Sequence, residues 1–201
     1  MNGEIKFVTV RKFGDFKDLR SGFQISKEQT VVNQGANWAF EIPGLGRANG
    51  MPITMCDLNT GKIFINWADQ RNGENDTDIW MISSDDGGKT WNEKVRVNND
   101  GPGKQQFFTW STIDQSTGTI YCVFYDRRNH DGNATDVYLA TSTDGGKTFK
   151  NEKISESPFT VPAGVFFGDY NNISAENGVV RPIWTSVKDG KLVVMTALIN
   201  N

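Results

Sequence analysis

Apolar residues along this chain come in short runs separated by polar, glycine-rich gaps. IFINW (63–67), DIWMI (78–82), IYCVF (120–124) and LVVM (192–195) are nearly continuous. Runs of this length, rich in β-branched and aromatic residues and bounded by Gly, Asn and Asp, predict strands. Their continuity predicts burial on both faces, as when one sheet is sandwiched between two others. No stretch carries the period of an amphipathic helix. The predicted strands are 5–13 and 29–32, with turn and loop between them, and then a long Gly-rich connection over 33–50. After it come 51–57, 62–68, 77–84 and 93–98, then 108–114, 119–126, 135–142 and 152–156, and finally 170–175, 179–185 and 191–199.

The same pattern returns along the chain. DLNTGKIFINWADQRN (57–72) overlies DQSTGTIYCVFYDRRN (114–129), and TDIWMISSDDGGKTW (77–91) overlies TDVYLATSTDGGKTF (135–149). NEKV (92–95) returns as NEKI (151–154), so the spacing stays at 57–59 residues. ISAENGVVRPIWT (173–185) is a partial third copy, aligning Gly61, Gly118 and Gly178, and Trp67, Phe124 and Trp184. A fixed spacing of this kind points to stacked, similar units of one supersecondary motif each.

Within each full copy stands S-x-D-x-G-x-T-aromatic: Ser84, Asp86, Gly88, Thr90, Trp91, and then Ser142, Asp144, Gly146, Thr148, Phe149. Asp accepts backbone N–H groups of the residues that follow it, Gly takes a positive φ, and the hydroxyls close further local bonds. The aromatic buries a flat surface beside the turn. These residues suit a tight hairpin, and their role reads as structural.

The two turns resemble the Asp-box, or bacterial neuraminidase repeat, of sialidase-like β-propellers, over roughly residues 45–200. The resemblance implies an all-β fold of β-propeller blades with four antiparallel strands each. About three blades are present, against the four to eight that close a propeller. Because sialidases have six, the chain is expected to be the C-terminal half of one. The expected division is 1–50 for N-terminal strands of a preceding or closing blade plus a long loop, 51–106 and 107–164 for two full blades, and 165–201 for an incomplete last blade. The expected partners include the missing propeller half or a second copy of the chain.

Composition narrows the picture. Lys and Arg are scattered and the net charge is −3, which points away from nucleic acid and anionic membranes. No apolar run approaches the ~20 residues that span a bilayer. MNGEIKFVTV has no signal-peptide core, whereas the resemblance implies an extracellular, periplasmic or cell-surface location; the chain is then expected to be one piece of a longer protein. Cys56 and Cys122 align with Ile113 and Ile65, so both are expected as buried free thiols.

In a four-stranded blade, first-to-second and third-to-fourth turns share one face, and all other connections share the opposite one. The long loops 33–50, 69–77, 98–107, 126–135 and 155–169 therefore gather away from the Asp-box turns, where function is most often carried. Asp69, Arg71, Asn72 and Asp126, Arg128, Asn129 repeat a D-x-R-N there, with Arg127, Arg47, Asp169 and Tyr170 on the same side. Each D-x-R is either a brace between blades or a fork aimed at a ligand carboxylate, so Arg47, Asp69, Arg71, Asp126 and Arg128 are the ligand-binding candidates. Asp76, Asp78, Asp131, Asn133 and Asp136 offer oxygens suited to Ca²⁺ without the spacing of a known loop, and no other metal or cofactor is indicated. His130 reads as solvated loop. Trp38, Phe107, Phe108, Phe166 and Phe167 would either stack on sugar rings or fill the space between blades.

The resemblance implies a glycan or sialoside-like ligand and, in enzymes of the family, three arginines on the sugar carboxylate, an Asp acid/base and a Tyr nucleophile assisted by Glu. Tyr170 matches the nucleophile position at the start of the last blade's inner strand, with Asp169 beside it. Met51 or Pro52 stands where the Glu is expected, and FFTWS (107–111) brings no third Arg. Two functions therefore stay open: a glycoside hydrolase of sialidase type, incomplete as an enzyme, or a non-catalytic propeller binding glycan or protein through its loop face.

Overall fold

The structure, a computed structural model, describes residues 4–8, 10–13, 22–25, 28–33, 39–168 and 170–200. All regular elements among them are strands. In chain order they are β1 (Glu4–Phe7), β2 (Val10–Phe13), β3 (Gly22–Ile25), β4 (Gln29–Asn33), β5 (Ala39–Phe40), β6 (Ala48–Asn49), β7 (Ile53–Cys56), β8 (Ile63–Asp69) and β9 (Asp78–Ser84). There follow β10 (Val95–Arg96), β11 (Gln106–Ile113), β12 (Ile120–Asp126), β13 (Asp136–Ser142), β14 (Lys150–Lys153), β15 (Asn172–Glu176), β16 (Val179–Lys188), β17 (Lys191–Thr196) and β18 (Ile199–Asn200).

These strands form successive antiparallel blades: β7-β8-β9-β10, β11-β12-β13-β14, and β15-β16-β17 with β18 also on β16. The repeat is visible in the backbone. Gly61, Gly118 and Gly178 close the first hairpin of each blade with φ of 74°, 73° and 75°, a region where only Gly is unstrained. Trp67, Phe124 and Trp184 are all buried in the second strand. In the last blade β17 pairs with β16 back to Ile183, and β18 takes over at Val179 and Val180. Pro182, which has no N–H to donate, sits at that handover.

Inner strands β7, β11 and β15 run side by side, and the main core fills the gaps between blades. A smaller cluster covers the other face of the first blade, where Ile65, Trp67 and Ile82 pack with Ile5 of β1 and with Phe7, Val31 and Val32. The β1–β4 pair therefore lies against the face that a preceding blade would occupy. Polar ties also cross the blade boundaries. Thr109 Oγ1 donates to Asn66 Oδ1 at 2.8 Å, and Asn171 Nδ2 donates to the Phe108 carbonyl at 2.7 Å. The Asp114 carboxylate accepts the N–H of Gly178 at 2.7 Å.

Several expectations are corrected. The expected strand 5–13 is two strands, β3 falls inside the expected N-terminal loop, and β5 and β6 pair inside the 33–50 connection. LVVM is not buried, because β17 is the outer strand of the last blade and Val194 is 70% exposed. Cys56, the final residue of β7, faces outward and is exposed, whereas Cys122 is buried. Strand alternation decides this: Met55 points in, so its neighbour points out.

Candidate functional site

At the hairpin end, the two S-x-D-x-G-x-T turns have the same geometry. Asp86 Oδ1 accepts the N–H groups of Lys89 and Thr90, each at 2.9 Å, and Asp86 Oδ2 accepts Thr90 Oγ1 at 2.7 Å. Ser84 Oγ donates to Asp86 and accepts the Gly88 N–H at 2.8 Å. Asp144 repeats the set with Ser142, Gly146, Lys147 and Thr148. The threonine hydroxyl, followed by the backbone N–H groups, holds the Asp86 carboxyl down at about 2 and the Asp144 carboxyl lower still. Trp91 meets Phe7 edge-on at 5.4 Å, and Phe149 packs against the core. Both oxygens of each Asp are taken up inside the turn.

The opposite end gathers the D-x-R-N segments. Arg71 Nε reaches both oxygens of Asp69, its Nη2 pairs with the same carboxylate, and its guanidinium lies 4.7 Å over the Trp80 ring. Arg128 repeats this with Asp126 at 2.8 Å and lies 4.3 Å over Tyr138. It then reaches onward to Asn99 of the first blade at 2.8 Å and to Asn151 at 2.9 Å, spanning the boundary between blades. The two carboxylates titrate differently. Burial pushes both up, but at Asp69 the bonds from Arg71 and from Trp67 Nε1 win and hold the carboxyl below its ordinary range. Asp126 has Phe124 in place of that Trp and takes Gln106 as a donor instead, but there burial outweighs the bonds from Arg128 and Gln106 and leaves the carboxyl raised. Between the blades, Asn98 Nδ2 donates to Asp78 at 2.6 Å and to Gln106 at 3.0 Å, and Gln106 Nε2 donates to Asp126 at 3.2 Å.

Repeat-equivalent positions differ at Gln70 and Arg127. Gln70 Nε2 donates to the carbonyls of Glu41 and Glu74 and to Thr77 Oγ1, at 3.0–3.1 Å. Arg127, 4% exposed, donates from Nε to Thr135 Oγ1 at 3.0 Å, and from Nη1 to the Pro43 carbonyl at 2.7 Å and to Asn133 at 3.3 Å. Its guanidinium lies 5.2 Å from the Phe107 ring centre. Burial lowers its pKa to about 10, so it is still a cation at neutral pH. Arg127 lines a cavity of about 240 Å³ with Lys104, Gln105, His130, Asp131 and Asn133.

At the axial end of the inner strands, a shallow site is lined by Asn49, Met51, Ile53, Phe108, Thr109, Trp110 and Tyr170. β11 bulges here, and Phe108 takes a φ of 49° that is unusual for a bulky residue. Tyr170 is 61% exposed and makes no hydrogen bond among the described residues. Asn171, next to it, is buried and leaves its Oδ1 without a partner. Met51 contributes no acid to this site. Asp169 and Trp38 lie outside the described residues. Arg47 is exposed and lies 5.8 Å over the exposed Phe166 ring, whereas Phe107, Phe108 and Phe167 fill the core.

The oxygens considered for Ca²⁺ are spent separately. Asp76 takes the Gly103 N–H, Asp78 takes Asn72 and Asn98, Asp131 pairs with Lys104, Asn133 takes Arg127, and Asp136 faces Asn129 and His130. Among the described residues no three His, Cys, Asp or Glu side chains group as a metal would require. His130 is not simply solvated, since its Nε2 lies 3.0 Å from Asp136. The Phe108 bulge and the Gln105 amide carried no signal in the sequence. Arg127 did carry one: it breaks a repeat in which Gln serves the same place.

The fold is shared with solved carbohydrate-active propellers at low identity. A Hadza microbial sialidase matches with a TM-score of 0.50 and 18% identity over 75% of this chain and 32% of its own. The Penicillium chrysogenum α-L-arabinanase, solved with arabinobiose, matches with a TM-score of 0.51 and 14% identity, covering 94% of this chain and 52% of its own. An α-L-arabinofuranosidase from Lactobacillus brevis gives 0.53 and 13%, over 89% of this chain and 59% of its own. The chain thus spans less than two thirds of the length of each. No family model and no curated sequence matches it. These likenesses establish propeller blades as the fold.

Proposed function

We propose that the chain is part of a sialidase-like Asp-box propeller that recognises a glycan on its loop face. The observation that carries this reading is the exposed Tyr170, set beside the strained Phe108 bulge where the inner strands end. An exposed aromatic suits a sugar ring, which offers it an apolar face. Strain held at such a place supports a binding role. The likeness to propellers that act on sialosides and arabinosides supports the ligand class.

Recognition is favoured over hydrolysis. A tyrosine is a weak nucleophile at its ordinary pKa of about 10 and needs a base against it. Among the described residues no carboxylate is hydrogen-bonded to Tyr170, and Arg71 and Arg128 are engaged by Asp69 and Asp126. On this reading the rest of the propeller, or a second copy, supplies further blades, and the protein works outside the cytoplasm, in the periplasm or at the cell surface.

Two measurements on the purified chain test this. A glycan array should show retention of a glycan class that is lost in Tyr170→Ala, and a fluorogenic sialoside should show no turnover. Turnover abolished by Tyr170→Phe would replace recognition with catalysis. Absence of any Tyr170-dependent retention would overturn the glycan reading itself.

A further inference from the structure

The cavity lined by Arg127 is a site in its own right, apart from the axial surface of Tyr170. A buried cation is stable only when paired, yet no carboxylate lies within ion-pair distance of this guanidinium among the described residues. The fold does not require the charge. At the equivalent place in the first blade a neutral Gln70 bonds a threonine hydroxyl and two loop carbonyls, where Arg127 bonds a threonine hydroxyl, one loop carbonyl and the Asn133 side chain. Arg127 satisfies those needs with Nε and Nη1, and Nη2 has no hydrogen-bond partner among the described residues.

A second observation points to the same space. Gln105, 6% exposed, lines this cavity and leaves its Oε1 buried without a donor, while its Nε2 is held by the Glu74 carbonyl at 2.9 Å. Such an oxygen is costly unless a ligand brings it an O–H or N–H. The other charges nearby are already matched: Lys104 pairs with the exposed Asp131 at 3.0 Å, and His130 faces Asp136. Arg127, with no carboxylate partner among the described residues, and Gln105, with an unmet acceptor, therefore both line a cavity of about 240 Å³, less than the roughly 300–1,000 Å³ of a drug-sized site.

We infer that this cavity binds a small hydroxy acid of the hexuronate type, with its carboxylate on Arg127 and a hydroxyl donating to Gln105. A guanidinium is matched by a carboxylate fork, and one sugar ring fits the volume. A neutral hexose lacks the charge, and inorganic phosphate, although its P–OH can donate to Gln105, lacks a ring to fill the volume.

The test is a titration of the ¹⁵N-labelled full chain with sodium glucuronate, glucose and inorganic phosphate, read at the Arg127 Nε–Hε and Gln105 side-chain amide resonances. Glucuronate is expected to shift both saturably, glucose to shift neither, and phosphate to bind at least about tenfold more weakly. Arg127→Gln restores the residue type of the first blade, so it should keep the fold and lose the glucuronate response. Gln105→Met should weaken binding by about tenfold, and Tyr170→Ala should leave it unchanged. No saturable shift at Arg127 in the unaltered protein, or equal binding of phosphate, would overturn the proposal. So would glucuronate binding retained in a folded Arg127→Gln variant or abolished by Tyr170→Ala. Failure of the glycan reading at Tyr170 leaves these outcomes untouched.

Discussion

The Tyr125 hydroxyl and the backbone of Thr185 exchange two hydrogen bonds across a blade boundary: the hydroxyl donates to the carbonyl at 2.7 Å and accepts the N–H at 3.1 Å. β15 pairs with β16 only as far as Ile183, so Thr185 lies past the end of that neighbour. One side chain from the second blade takes the place of a strand. Tyr125→Phe keeps the ring among Phe107, Phe108, Phe159 and Phe167 but leaves the Thr185 groups without their partner. The expected loss is about 1–3 kcal/mol in urea unfolding. It corresponds to about 2–4 °C in Tm per kcal/mol for a chain of this size.

The two turn aspartates set an acid limit. Their folded carboxyls lie below the unfolded value of about 4, so the stability they contribute is fully present above that pH. It is lost as pH falls through the folded value, about 2 at Asp86 and lower at Asp144. The protein should therefore lose stability on going from about pH 4 to about pH 2. An Asp86→Asn, Asp144→Asn double variant should start less stable at pH 7 and change less over that window, as read by denaturant midpoints at fixed pH.

Adjacent glycines in one turn separate backbone strain from crowding. Gly87 and Gly88 have φ of 73° and 85°, so Ala at either position costs about 1–2 kcal/mol in backbone terms. A Cβ on Gly87 meets open space, whereas one on Gly88 runs into the Phe7 ring. Gly88→Ala should be the more damaging in thermal unfolding. Its excess over Gly87→Ala should shrink in a Phe7→Ala background, as coupled neighbours do.

The two thiols differ in access. Cys56 should react with a thiol reagent within the mixing time, whereas Cys122 is fully enclosed and burial pushes its thiol far above the ordinary range. Cys122 should label only as fast as the second blade opens. Simultaneous labelling of both in native buffer would contradict the packing around β12.

The blades were legible because the sequence writes them twice. The aligned Gly61, Gly118 and Gly178 hold one backbone shape, and Trp67, Phe124 and Trp184 one buried place. Periodicity misled where burial depends on neighbours rather than on the strand itself: β17 has a core strand's composition and an edge strand's exposure. The D-x-R pairs gave their residues but not their use, since which carboxylate an Arg side chain meets depends on where its loop folds. Ties such as Asn66 to Thr109 join residues 43 apart with no local pattern. Arg127 was most informative as a departure from the repeat, because there the fold has already shown what it needs.

The chain of amides between the first two blades has a consequence for the medium in which this protein works. Asn98 and Gln106 join Asp78 to Asp126 through dipoles buried from solvent, beside the exposed Lys104–Asp131 pair. Dissolved ions shorten the reach of exposed charges to about 3 Å at 1 M salt but have little purchase on a buried amide. This buried part of the seam is thus built to hold in brine as well as in fresh water.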